Sequence, residues 1–156
     1  MILRLIHIIL IVAHTLAAAA WFGAMFYSLA VLHPRARAYF ALLRQLEEFI
    51  TFIAAGARWK VLFGCAVIGA TGLALIPFRE NPPAAWLGCI AAKALLFAAA
   101  MSIFAYASWV VWPARLMAAQ DEIAAFQSRF RIIAVSLIVL VVLCFLLSVM
   151  ASHALA

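Results

Sequence analysis

Four long apolar stretches dominate this chain and leave few folds open to it. They run over residues 5–32, 61–78, 84–112 and 132–153. Each is long enough, at ~1.5 Å per helical residue, to cross or nearly cross a hydrocarbon core of about 30 Å. Hydrophobic residues make up 71% of the 156, and charged residues only 10%. No soluble core of this size hides that much apolar surface. The expected fold class is therefore all-α integral membrane, a four-transmembrane-helix bundle forming one domain over residues 1–156. The prolines fit this division. Pro34 follows the first span, Pro77 closes the second, Pro82 and Pro83 precede the third, and Pro113 closes it. Proline lacks the N–H that a continuing helix needs, so helix ends are expected at these positions.

The first stretch reads as a span and not as a cleaved leader. It continues past the alanines at 17–20 to Leu32, and its basic residues, Arg35 and Arg37, follow the apolar run. Charge then sets orientation. Arg35, Arg37, Arg44, Arg58 and Lys60 fall in the connection 33–60, and Arg115, Arg129 and Arg131 in the connection 113–131, whereas the other side holds Arg4 and Arg79. The positive-inside rule places both long connections in the cytoplasm and both termini outside, in the periplasm if the host is bacterial. A bacterial inner membrane is the expected location. The net charge of +6 is accounted for in the same way, with the lipid bilayer and not a nucleic acid as the partner. Within the first connection, "AYFALLRQLEEFITFIAAGA" sets Arg44, Glu47 and Glu48 among apolar residues at helical spacing. That pattern predicts an amphipathic cytoplasmic helix between the first and second spans.

Most of what the spans carry is packing chemistry. Gly64, Cys65, Gly69 and Gly72 in the second span, and Ser136, Cys144, Ser148 and Ser152 in the fourth, are the small residues that let membrane helices approach. Cys65, Cys89 and Cys144 lie within apolar runs and form neither a disulfide framework nor a CxxC metal motif. Lys93 is different. It lies about nine residues into the third span, ~13 Å along the helix, beside an apolar face of Phe97, Met101 and Phe104. An ionisable side chain at that depth marks a candidate functional site. No acid lies in any span to pair with it, so either it is neutral or a ligand carboxylate supplies the counter-charge.

Two histidines lie in the first stretch, and a third, His33, follows it directly. His7, His14 and Trp21 are spaced by sevens and share one helix face with a drift of ~20° per heptad. His14 lies at nearly the depth of Lys93, while His33 sits at the basic boundary. A neutral imidazole is a good ligand for copper and for haem iron. Near the outer face the fourth span ends with Met150 and His153, and a thioether beside an imidazole suits Cu(I). No Gly-rich phosphate loop, HExxH, GxSxG or pair of intramembrane carboxylates is present, which argues against kinase or hydrolase chemistry.

With these residues in view, "AHTLAAAAWFGAMFYSLAVLHPRARA" resembles the first helix of the CopD (copper resistance protein D) domain family. That family has a His, a Trp seven residues on, a Gly-rich WxGG and an aromatic-apolar run ending near a proline. His14, Trp21, Gly23 and Pro34 match it, with Ala24 where a second Gly is common. Thr71 and Gly72, Lys93, and Trp112, Pro113 and Arg115 extend the likeness over most of the chain. The resemblance implies an inner-membrane protein for copper binding, transport or delivery. His7, His14, Met150 and His153 would form its outer copper site, with Met25, Met101 and Met117 as softer ligands further in. A path through one small protomer would be narrow, so a homo-oligomer or a larger membrane complex is expected, and enzyme activity is expected only in the haem reading that follows.

The His-to-Trp spacing and the intramembrane lysine are also similar to HemJ-type four-helix haem proteins. Their "LPRLFVYH"-like segment after the Trp is here "FYSLAVLH". This second likeness implies a b-type haem and a haem-dependent oxidoreductase of the protoporphyrinogen oxidase kind. His14, Trp21 and Lys93 would bind that cofactor, the alanines at 17–20 and 98–100 would make room, and Lys93 would meet a propionate. A third expectation is an accessory subunit of a membrane complex, without chemistry of its own.

Overall fold

The computed structural model describes residues 1–119 and 121–153, with the side chain of His153 outside the description. It is 89% helical and contains no strand among the described residues. Four helical segments are long and apolar enough to cross a membrane: Ile2–Tyr39, Ala57–Phe78, Ala84–Leu116 and Ile123–Ser152. Their outward sides are strongly apolar, as Leu3, Phe63, Leu73 and Leu95 show by their exposure. Such surfaces are stable only against an apolar environment or a partner.

The chain divides into two compact units, Met1–Glu80 and Asn81–Ala156. In the first, α1 (Ile2–Tyr27) passes through a π-helical turn at Ser28–Leu32 into α2 (His33–Tyr39). A short amphipathic α3 (Leu43–Ala54) follows, then α4 (Ala57–Leu75), which ends in a 3₁₀ turn at Ile76–Phe78. α4 packs along α1. The amphipathic helix expected between the first two spans is therefore α3. Leu46 on its apolar side is buried, and Arg44 donates to Glu48 at 2.9 Å on its exposed side. Gly56, at φ +72°, makes the left-handed corner from which α4 starts.

In the second unit, α5 (Ala84–Tyr106) passes through a π-helical turn at Ala107–Val111 into α6 (Trp112–Leu116), and α7 (Ile123–His153) packs along α5. Pro83 caps α5 as its position in the sequence suggests. Pro34 and Pro113 behave otherwise. They were expected to close the first and third spans, yet helix runs through both. The proline ring crowds the carbonyl four residues back and offers no N–H to it. Just ahead of each proline the hydrogen-bond ladder slips by one residue. The N–H of His33 donates to the Ser28 carbonyl, and that of Trp112 to the Ala107 carbonyl, five residues back in each case. Each proline then occupies the first turn of the next helical piece, where a missing N–H costs nothing.

This slip reveals an internal repeat. When the sequence is shifted so that Pro34 meets Pro113, the turn Ser28–Leu32 falls on Ala107–Val111 and His14 falls on Lys93. In each unit the residue at this register meets a small residue of the returning helix. His14 lies against Gly72, and the carbonyl of Lys93 accepts from the Cys144 thiol at 3.9 Å.

Arg115, which the charge pattern assigns to a cytoplasmic loop, is instead in α6 and only 7% exposed. Its guanidinium lies 5.6 Å from the Trp112 ring centre and 5.1 Å from that of Phe130, and those two rings meet edge to face at 5.7 Å. Cation–π attraction to two rings offsets part of the desolvation of the charge.

Candidate functional site

His14 is held between α1 and α4. It lies twelve residues after Ile2, ~18 Å along α1. Its Nδ1 is 3.0 Å from the Ile68 carbonyl oxygen and 3.0 Å from the Thr71 hydroxyl. The Thr71 hydroxyl donates back to the Val67 carbonyl at 2.6 Å, the usual bond of a threonine inside a helix. A carbonyl oxygen can only accept, so Nδ1 carries the proton and shares it between Ile68 and Thr71. The neutral ring then bears its lone pair on Nε2, the arrangement of a metal-ligating histidine whose other nitrogen is anchored by the protein.

Gly72 completes the seat. A Cβ there would meet His14 Cε1 at 3.1 Å and Nδ1 at 3.6 Å, tighter than ordinary contact at the nearer atom. Absence of a side chain at 72 is thus what lets the ring rest on α4. Trp21, two helical turns on from His14, is buried. His7, two turns before it, stacks on Phe78 with ring centres 4.7 Å apart and planes within 4°. The imidazoles of His7 and His14 are thus engaged separately, one on an aromatic ring and one on a helix backbone. His33 opens α2 and is half-buried.

The second unit carries Lys93, half-buried on α5 beside Cys144 of α7. The serines of α7 satisfy themselves locally: Ser148 donates to the Cys144 carbonyl and Ser152 to the Ser148 carbonyl, each at 2.8 Å. Those bonds agree with the packing role read for that stripe. Met150 is 51% exposed, and the side chain of His153 lies outside the described residues. Met25 and Met101 are half-buried, and Met117 is 83% exposed. Among the described residues no group of three His, Cys, Asp or Glu side chains comes together.

The sequence pointed to His14 because an imidazole deep in a span needs a partner. It did not reveal which groups meet that need. Thr71 entered only through a family likeness, Gly72 through that likeness and as a packing residue, and Ile68 not at all. The available signal was that Thr71 is one of few hydroxyls in the second span. No protein-family model matches this chain, and no curated protein or solved structure is significantly similar to it.

Proposed function

We propose that this chain is an integral membrane protein with both termini on the outer side, in a bacterial inner membrane, and that it holds a metal through Nε2 of His14. The observation that carries this reading is the anchoring of His14 Nδ1 by Ile68 and Thr71. It commits the other ring nitrogen to the role of donor atom. A b-type haem is one such group: His14 Nε2 would be the chain's donor to it, no cluster of side-chain donors would be required, and it would supply one-electron redox chemistry. The chain's own part is to hold and orient the imidazole between α1 and α4.

Copper is the second reading, because an Nε2 lone pair also suits Cu(I). It calls for further donors, and His7, Met150 and His153 are those the sequence offers.

An absorption spectrum with metal analysis of detergent-purified protein separates the two. A Soret band at roughly 410–430 nm with bound iron is expected. Copper without that band favours the second reading, and neither metal overturns both. Orientation has its own test. Periplasm-active reporters fused before Met1 or after Ala156 should be active, and the same reporter inserted near Arg44 should be silent. The reverse pattern overturns the topology.

A further inference from the structure

We infer that Thr71 is a positioning residue for His14, and that α4 sets both which nitrogen of the ring is the donor and how electron-rich it is. This rests on the reading of His14 as the ligand residue. The relay runs from His14 Nδ1–H to Thr71 Oγ1 at 3.0 Å, then from Thr71 O–H to the Val67 carbonyl at 2.6 Å.

Because the hydroxyl proton is committed to Val67, Oγ1 turns a lone pair toward the imidazole. It can only accept there. The Ile68 carbonyl, 3.0 Å from the same nitrogen, does likewise. Two acceptors on one N–H draw the proton outward and leave the ring with more imidazolate character, which makes Nε2 a stronger donor. Thr71 Oγ1 also lies 3.2 Å from the Ile68 carbonyl, so one turn of α4 presents both acceptors as a unit. Gly72, the next residue, leaves room for the ring to reach them. Thr71 therefore reaches the ligand only through His14.

Substituting Thr71 by valine keeps the shape and removes the acceptor; substituting it by serine keeps the acceptor and loses only the γ-methyl. The full chain labelled with ¹⁵N-histidine, with no metal added, should show His14 as a single Nδ1-protonated tautomer in the wild type and in Thr71→Ser. In Thr71→Val the Ile68 carbonyl still holds the proton on Nδ1, and the loss of the second acceptor should move the Nδ1 resonance. Hemin titration is the second readout. Thr71→Val should weaken binding about tenfold, the lower end of typical losses at such supporting positions, while Thr71→Ser stays near the wild type.

Gly72→Ala tests the same seat by pushing on Cε1, and should lift the ring off both acceptors and mix the tautomers. Wild-type ¹⁵N shifts and wild-type hemin affinity in Thr71→Val overturn the positioning role. An Nδ1 resonance that responds to Thr71→Val in a protein that takes up no hemin supports the positioning role and overturns the haem reading instead.

Discussion

A His14→Ala variant is expected to fold with unchanged helix content and to purify without a Soret band or stoichiometric iron. The fold is expected to survive because little else is disturbed. The Thr71 hydroxyl keeps its bond to Val67, and the Ile68 carbonyl belongs to the helical ladder of α4. Neither of these two groups is left unsatisfied when the ring is removed, and unsatisfied buried groups are what make polar deletions costly. The loss of ligand should be near complete, since an axial donor cannot be replaced by a methyl group. His7→Ala is the matched control. His7 leans on Phe78 and should leave the spectrum as it was. Circular dichroism and a visible spectrum on the three proteins check both statements. A full Soret band in His14→Ala refutes the assignment of the ligand.

Lys93→Met should raise the stability of the fold. A lysine near the middle of a spanning helix costs about 2.5–3.5 kcal/mol of insertion free energy on translocon-derived scales. Methionine, of similar length, removes most of that cost. The variant should insert more efficiently in a translocation assay and resist heat longer in detergent. A native residue that carries such a cost is one retained for function. A Lys93→Met protein that inserts and melts as the wild type does contradicts this reading of Lys93.

The four helices were legible because a bilayer imposes one overriding demand, a run of apolar residues of fixed length, and composition reports it directly. α3 was legible for a related reason, the helical spacing of Arg44, Glu47 and Glu48 among apolar neighbours. Helix continuity through Pro34 and Pro113 was not. Proline reports a missing N–H, but not whether the preceding turn can slip by one residue to absorb it. His14 and Lys93 stood out by polarity. Their equivalence within a repeat was hidden, because the shared features are backbone turns and registers, and the aligned residues differ in chemistry. The seat of His14 was hidden as well, since it depends on which face of α4 packs against α1. Arg115 lies in a helix where a loop was expected, because charge alone does not distinguish a solvated loop from a clasp between Trp112 and Phe130.

The central claim is that the His14 imidazole itself is bound to the metal. Pulsed electron paramagnetic resonance on ¹⁵N-histidine-labelled protein, loaded with ferric haem, tests it directly. A strong coupling from a directly bound nitrogen should be present in the wild type and absent from His14→Ala, although His7, His33 and His153 remain labelled. The same coupling in both proteins would contradict the account, because the ligand would then be another histidine.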